Sequence, residues 1–252
     1  MIKLTSLLRE VLNKPKAIFL AGPAGSGKTF ISKQFIPDIF ITLNIDDTYE
    51  KLLKKSGLGM NTKDFSPEEL SKSAQLMSLA RKATDENYAK LVNDKKNIVI
   101  DGTGGASKPL LKKKQELEDL GYETFMVALY VSPITSLERN ISRERSLMPS
   151  IVVRTWRDYM KNIEDYKAAF GDNFVLINND PQNANKTYNP EEIKQKYFDT
   201  ALAKGKEKTP EEKAKSEEKN KELNQDIQQL LTIEREFDSL DIAKTKINSF
   251  IK

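Results

Sequence analysis

The sequence contains no cysteine and no histidine among its 252 residues. Without cysteine the chain can form no disulfide framework, no thiolate zinc site and no cysteine nucleophile. Without histidine it can build neither a histidine-dependent triad nor a histidine-ligated metal centre. Any acid–base chemistry must therefore rest on carboxylates, lysine or tyrosine.

Long apolar runs are also missing from the sequence. No stretch approaches the ~20 apolar residues that span a bilayer, and the N-terminus lacks an apolar signal core followed by a small-residue cleavage site. Hydrophobic residues make up 38% of the chain and charged residues 31%, which predicts an excess of solvated helix. We therefore expect a soluble cytoplasmic protein without membrane contact, located in the host cytoplasm if it is viral.

Positive charge is distributed unevenly, although the net charge of +4 is too small to indicate nucleic-acid binding by itself. Residues 182–252 carry 14 basic and 14 acidic side chains, so the excess lies in residues 1–181. The planar guanidinium of arginine suits phosphate, so a cluster of arginines is a candidate phosphate site; the alternative is a solvated helix face. Five of the eight arginines form such a cluster: Arg139, Arg143, Arg145, Arg154 and Arg157.

Apolar runs alternate with helical patterns along the first 181 residues. A clear helix start lies at Ser66, where an N-cap serine precedes a proline at the first helical position and a glutamate at the third. The alternation predicts an α/β fold, a five-stranded parallel sheet with helices on both faces. Runs typical of buried strands occupy residues 16–21, 39–43, 97–100, 124–131 and 174–177.

The two ends of the chain read as helical. Residues 2–12 predict a short amphipathic helix, and residues 182–252 carry helix-start patterns but no strand signal. We therefore predict a domain of residues 1–181 and a charged helical extension of residues 182–252. The helices of 190–252 could pack on the core, bind a partner or form a solvated hairpin.

A glycine-rich loop follows the first predicted strand. Residues 22–29 read Gly-Pro-Ala-Gly-Ser-Gly-Lys-Thr and match G-x-x-x-x-G-K-[ST] between a predicted strand and a predicted helix, the context this motif requires. In such a loop, backbone N–H groups surround phosphate oxygens and the helix N-terminus adds partial positive charge. The sequence therefore predicts binding of ATP or GTP, with a phosphate loop typical of P-loop NTPases and kinases.

Each residue of this loop has an expected contact. Lys28 should reach the β- and γ-phosphates, and Thr29 should ligate Mg²⁺. The residues expected to contact the nucleotide through the loop are Gly22, Ala24, Gly25, Ser26, Gly27, Lys28 and Thr29.

Carboxylates follow two of the predicted strands. Asp46 and Asp47 close the strand over 39–43, and Asp101 follows the strand over 97–100. In open α/β sheets, ligands bind outside the carboxyl ends of the strands. One carboxylate of the first pair could accept a proton from a hydroxyl, and Asp101 could organise Mg²⁺. Loop capping is the alternative for all three.

The arginine cluster begins after the fourth predicted strand. Arg139 and Arg143 are four residues apart and so share a helix face. They could close over the γ-phosphate as a lid of about residues 139–157. Trp156, the single tryptophan, favours core or lid packing over base stacking, and the roles of the other three arginines stay open.

These motifs together resemble the P-loop kinases that include phage 5′-hydroxyl polynucleotide kinase and the zeta-toxin-like kinases. The resemblance covers roughly residues 16–180. Leu43-Asn44-Ile45-Asp46-Asp47 is similar to the polynucleotide kinase segment after strand two, whose first aspartate is the general base. Residues 139–155 are similar to that family's lid, and residues 101–104 to its strand-three motif.

This resemblance implies a strand order of 2-3-1-4-5, Asp46 as the base, and Arg139 and Arg143 on the donor phosphates. The loop after the last strand, which contains Asn179, looks like the place where adenine is held. Polynucleotide kinase carries an arginine three residues after the base, where this chain has Tyr49. That enzyme also carries a phosphatase domain, where residues 190–252 read as helical.

We therefore expect an ATP- and Mg²⁺-dependent phosphotransferase whose acceptor is a hydroxyl of a nucleic acid end, nucleotide, nucleoside or nucleotide sugar. Acceptor specificity is expected in residues 57–94. The competing hypothesis is a nucleotide-binding ATPase or interaction protein whose helices of 190–252 bind a protein partner. A structural nucleic-acid binder is disfavoured, because acids offset the basic residues and no stacking ribbon of aromatics and arginine occurs.

Overall fold

Five parallel strands form one sheet in the order β2-β3-β1-β4-β5. The structure is a computed structural model that describes residues 14–60, 65–181, 188–198 and 210–252, so the helix predicted over residues 2–12 lies outside the described part. Both the fold class and the strand order expected from the sequence are confirmed. The strands are β1 Lys16–Ala21, β2 Ile41–Leu43, β3 Ile98–Gly102, β4 Glu123–Tyr130 and β5 Phe174–Asn178.

Helices connect the strands and continue after the last one. The first six are α1 Lys28–Phe35, α2 Ile45–Ser56, α3 Pro67–Asn93, α4 Ser107–Asp119, α5 Pro133–Ile141 and α6 Pro149–Lys161. They are followed by α7 Ile163–Phe170 with a 3₁₀ turn at Gly171–Asn173, α8 Pro190–Ile193 with a π-helical turn at Lys194–Phe198, α9 Pro210–Thr232 and α10 Leu240–Ile251.

Helices cover both faces of the sheet, as predicted. Successive strand residues point to opposite faces, and β1 shows the consequence: Phe19 and Ile18 belong to two separate apolar clusters. The cluster around Phe19 is completed by α4, α6, α7 and α9. The cluster around Ile18 is completed by α1 and α10.

Helix α2 was not expected from the sequence, and it changes the setting of two candidate residues. Asp46 and Asp47 do not close strand two in a loop; they lie in the first turn of α2. The Asn44 side chain accepts a hydrogen bond from the Asp46 N–H at 2.8 Å and so caps the helix. The helix ends at Gly57, whose φ of 73° is the left-handed conformation that glycine adopts readily.

Helix α3 begins at the capping box that the sequence indicated. The Ser66 hydroxyl accepts from the Glu69 N–H, and the Glu69 carboxylate accepts from the Ser66 N–H. The helix predicted to run from 149 to 166 is instead divided at Asn162 into α6 and α7, and the Asn162 side chain donates to the Gly104 carbonyl at 3.3 Å. Trp156 packs in the core with its indole N–H on the Val131 carbonyl at 2.7 Å.

The described part of the C-terminal extension packs on the sheet layers. Ile227 of α9 is fully buried against one face, and Ile247 of α10 is fully buried against the other. Between these helices, Asp238 exchanges hydrogen bonds with Leu176 of β5: its N–H donates at 2.8 Å and its carboxylate accepts at 2.9 Å. A domain boundary at residue 181 stays a prediction.

No helix among residues 14–60, 65–181, 188–198 and 210–252 is long and apolar enough to cross a membrane.

The packing of α10 predicts that truncating two isoleucines of this helix lowers the free energy of unfolding by very different amounts. Ile247→Ala leaves a cavity in the core and should lower the free energy of unfolding by about 2–5 kcal/mol. Ile242→Ala is the matched control, because Ile242 is 50% exposed and surface truncation usually changes stability by no more than about 0.5 kcal/mol. Urea unfolding measures both, and equal losses would contradict the packing.

Candidate active site

The phosphate loop, residues 22–27, connects β1 to α1 and depends on glycine at two positions. Gly25 and Gly27 have φ values of 74° and 88°, which side-chain-bearing residues rarely adopt. Space is restricted as well. A Cβ on Gly25 would lie 2.9 Å from Arg139 Cβ, and one on Gly27 would collide with the Asn179 side-chain amide. The sequence pattern therefore reflects both backbone conformation and close packing.

Four side chains from outside residues 22–27 donate hydrogen bonds to carbonyl oxygens of this loop. Three belong to elements later in the chain, and the fourth is Lys28, the first residue of α1. The hydrogen bonds run from Ser136 Oγ to Ala24 O at 2.5 Å, Arg139 Nη1 to Gly25 O at 2.9 Å, Asn179 Nδ2 to Ser26 O at 2.8 Å and Lys28 Nζ to Gly22 O at 2.7 Å.

These bonds also orient the amides of the loop. In a trans peptide the C=O and the N–H of the same unit point in opposite directions. Since Ser136 holds the carbonyl of Ala24 and Asn179 holds that of Ser26, the N–H groups of Gly25 and Gly27 point away from those side chains. Such outward-braced carbonyls leave amides free for phosphate oxygens.

Asn44 joins the two candidate carboxylates at the carboxyl ends of β2 and β3. Its side-chain amide donates to Asp101 Oδ2 at 2.6 Å, and its side-chain oxygen accepts from the Asp46 N–H at 2.8 Å. One residue therefore fixes the strand-three carboxylate and the start of α2 together.

Asp101 is partly buried at the end of β3, and its second carboxylate oxygen, Oδ1, is buried without a hydrogen-bond partner among the described residues. Burial raises the pKa of this carboxyl to about 6, against the nearby Lys28 ammonium and the Asn44 hydrogen bond, both of which lower it. The pKa of Lys28 shifts in the opposite direction, downwards. Burial lowers its pKa, the Arg143 guanidinium lowers it further, and Asp101 and Asp46 oppose the change.

A magnesium site would rest on few protein ligands here. In the described part of the chain, no group of three or more acidic side chains is arranged to hold a metal. Mg²⁺ usually keeps several waters and takes one or two carboxylates besides substrate phosphates. The unpartnered Asp101 oxygen beside Lys28 fits that requirement, with the exposed Thr29 hydroxyl in the first turn of α1 as the second expected ligand.

The arginine cluster separates into different environments. Arg139 holds the phosphate loop and also donates to the Asn179 carbonyl at 3.0 Å. Arg143 is exposed just after α5, near enough to Lys28 to lower the pKa of its ammonium group. Arg157 forms ion pairs with Asp158 and with Asp226 of α9, and Arg154 is exposed.

The structure thus brings most expected site residues to one end of the sheet. Lys28, Asp46, Asp101 and Arg143 lie within electrostatic reach of one another. Asn179 contacts the loop rather than standing apart from it. Contacts of any of these residues with a ligand stay predictions.

Three further residues make contacts in the site that the sequence analysis did not predict. Asn44 carried a signal for its contact, because an asparagine before an acidic first turn is typical of a helix N-cap. The contacts of Ser136 and of Arg145, a member of the arginine cluster, carried none, since their partners lie 112 and 99 residues away in the sequence.

Residues 4–191 match the sequence profile of the zeta toxin family. The chain belongs to the zeta toxin family. Together with the phosphate loop, this membership supports a P-loop phosphotransferase. No curated protein sequence matches this zeta toxin family member.

Solved structures similar to this zeta toxin family member are distant in sequence. The AvrRxo1-ORF1:AvrRxo1-ORF2 complex with sulphate ions matches with 15% identity over 96% of this chain and 82% of that one, with a TM-score of 0.55. The PezAT toxin–antitoxin system of Streptococcus pneumoniae matches with 19% identity, coverage of 91% and 96%, and a TM-score of 0.45. The Pnkp1/Rnl/Hen1 RNA repair complex matches with 16% identity, coverage of 61% and 46%, and a TM-score of 0.46.

The raised pKa of Asp101 predicts a pH dependence of stability. Its pKa rises from 3.8 to about 6 on folding, so the folded protein binds more protons there than the unfolded chain within this window. The free energy of unfolding contributed by this group therefore falls as the pH rises through the window. Asp101→Asn removes the cost of keeping an ionised carboxylate partly buried. The variant should therefore raise the free energy of unfolding at pH 7.5 by up to about 3 kcal/mol.

Chemical unfolding of both proteins at several pH values measures this effect. The difference should vanish below about pH 3, where Asp101 is protonated in both states. Asp38→Asn, at an exposed loop position, is the control and should change stability by no more than about 0.5 kcal/mol. A variant no more stable than the wild type at pH 7.5 would contradict the burial argument.

Proposed function

We propose that the protein is a cytoplasmic, ATP- and Mg²⁺-dependent kinase. It transfers the γ-phosphoryl group of ATP to a hydroxyl of a nucleic acid end, nucleotide, nucleoside or nucleotide sugar. Membership of the zeta toxin family and the phosphate loop support the donor half of this reaction.

The observation that carries the proposal is a second aspartate, Asp46, which Asn44 holds close to Asp101 and the phosphate-loop lysine. Asn44 bonds the Asp101 carboxylate and the Asp46 backbone, and both aspartates act on Lys28 electrostatically. A nucleotide-hydrolysing switch needs only a positioned water. A second carboxylate near the phosphate-loop lysine instead favours transfer to an alcohol, because that alcohol must lose a proton.

On the donor side, the loop backbone and Lys28 are proposed to bind the phosphates, and the loop that contains Asn179 is proposed to hold the adenine, as the resemblance implies. Thr29 and Asp101 are the proposed protein ligands of the metal. Bound Mg²⁺ would offset negative charge on the phosphate oxygens. Arg143 is exposed on the lid and is proposed to act with Arg139 on charge that develops on the γ-phosphoryl group.

On the acceptor side, Asp46 is the proposed general base. Its side chain is 58% exposed, and among the described residues only Oδ1 has a partner, Arg145 at 2.9 Å, so Oδ2 is available to an acceptor hydroxyl. As the acceptor oxygen bonds to the γ-phosphorus, the bond to the ADP oxygen breaks and the hydroxyl proton passes to Asp46.

Acceptor choice is proposed to reside in α2, α3 and their connection. These helices pack on each other through Tyr49, Leu53 and Ala80, separately from the two clusters that flank the sheet. Tyr49 is buried with its hydroxyl 2.5 Å from Ser73 Oγ, so it supports this pair of helices rather than offering a charge to an acceptor phosphate.

Neighbouring aspartates provide a matched test of the base. Asp46→Asn should reduce phosphoryl transfer by about 10²–10⁴-fold, the usual contribution of general-base catalysis, while MgATP binding survives. Asp47→Asn is the control on the same helical turn and should stay within about tenfold of the wild type. Rates are measured with γ-labelled ATP and pooled DNA 5′-hydroxyl ends, nucleosides and UDP-sugars.

Label on an acceptor in the wild type supports a kinase, and an unchanged rate in Asp46→Asn would reject Asp46 as its base. Tight ATP binding with only free phosphate, or with no turnover, would instead support the nucleotide-dependent interaction protein. In that case the helices of 190–252 become the expected partner surface.

A further inference from the structure

Arg145 makes the most extensive side-chain contacts between the lid and α2. Its guanidinium donates to Asp46 Oδ1 at 2.9 Å and to Glu50 Oε1 at 3.3 Å. It also lies 5.2 Å from the centre of the Tyr49 ring, a distance typical of cation–π contact. The side chain is 15% exposed, so these protein groups account for most of its surroundings.

The three partners of Arg145 form one face of α2. Asp46, Tyr49 and Glu50 are spaced three and four residues apart, which aligns them along one side of a helix. Tyr49 is anchored from behind, because its ring is buried and its hydroxyl bonds to Ser73 of α3. The guanidinium therefore contacts a surface that is itself held in place.

The turn that carries Arg145 is held equally well. Buried Asn140 donates to the Leu147 carbonyl at 2.8 Å and accepts from the Leu147 N–H at 2.9 Å, which closes residues 140–147 into a bonded loop. Ser146, next to Arg145, is also buried. Such a turn restricts the guanidinium to a small volume.

The same part of the lid also holds the phosphate loop. Arg139, one position before Asn140, bonds to the Gly25 carbonyl at 2.9 Å. The end of α5 and the turn after it therefore contact the donor loop through one arginine and the proposed base through another.

We propose that Arg145 is a positioning residue that holds Asp46 in place for proton transfer and couples its alignment to the lid. This role rests on the kinase function proposed above and deepens it. Arg145 contacts Asp46 and not the reacting atoms, so it acts through the base.

Two other roles for Arg145 fit the contacts less well. A ligand of acceptor phosphate should expose its guanidinium, whereas Arg145 is 15% exposed and already has two carboxylate partners. A block on the base should cover Asp46, whereas that carboxylate is 58% exposed and keeps Oδ2 open.

Full-length Arg145→Gln and Arg145→Lys proteins test the proposal, with Arg157→Gln as the matched control. Arg157 also forms arginine–carboxylate pairs, but with Asp158 and Asp226 rather than with Asp46 and Glu50. Three readouts are compared: hydrogen exchange of peptides covering 44–50 and 142–148, MgATP affinity by calorimetry, and transfer kinetics from γ-labelled ATP to the pooled acceptors.

Arg145→Gln should speed hydrogen exchange in both peptides and lower kcat by about 10²-fold, the scale expected when a reacting group is misplaced. MgATP affinity and the KM for ATP should change by no more than about twofold, because the donor loop keeps Arg139. Arg145→Lys should recover the rate to within about tenfold, since one ammonium replaces only part of a two-carboxylate contact. Arg157→Gln should leave exchange in both peptides and kcat unchanged.

Unchanged hydrogen exchange in Arg145→Gln would contradict the claim that Arg145 holds α2 and the lid together, whether or not any acceptor is phosphorylated. A higher kcat would mean that Arg145 blocks Asp46, and a raised KM for ATP would make it a donor ligand; either result overturns the positioning role. If the wild type labels no acceptor, the kinase proposal fails and the positioning role fails with it, while the exchange data still decide whether Arg145 joins the lid to α2.

Discussion

The restraint of the phosphate-loop carbonyls is the interaction on which the rest of the site depends. A loop rich in glycine has many accessible conformations, and this one is held by hydrogen bonds from Ser136, Arg139 and Asn179. Those side chains come from α5 and from the loop after β5. The donor site is therefore assembled from distant parts of the chain, and its amides are oriented before any phosphate binds.

The charged groups beside the phosphate loop show that placing charge at the end of a strand has an energetic cost. Burial raises the pKa of Asp101 and lowers that of Lys28, so both charged forms are less favourable than in water. A site that binds an anionic nucleotide and a divalent cation benefits from such groups, because both charges gain new partners on binding. Perturbed groups of this kind cluster at functional sites in general.

Local patterns were sufficient to predict the sheet and the phosphate loop. The run at 16–21, the glycine spacing and the capping box at Ser66 each have a short-range physical cause, and the strand order followed from the family resemblance. Helix α2 was missed because its start depends on Asn44, a cap that read as part of a loop. The contacts of Ser136 and Arg145 could not be predicted, since their partners are about a hundred residues distant and no periodicity encodes such contacts.

The central claim is that residues 22–29 bind a nucleoside triphosphate with magnesium. Isothermal titration calorimetry of the full chain with MgATP tests it most directly, alongside Lys28→Ala and Gly27→Val, the latter because a Cβ at Gly27 would collide with Asn179. The account predicts saturable binding by the wild type and at least about tenfold weaker binding by both variants, since each disturbs the phosphate cradle. An absence of binding heat from the wild type across several temperatures, or equal affinity in all three proteins, would contradict it.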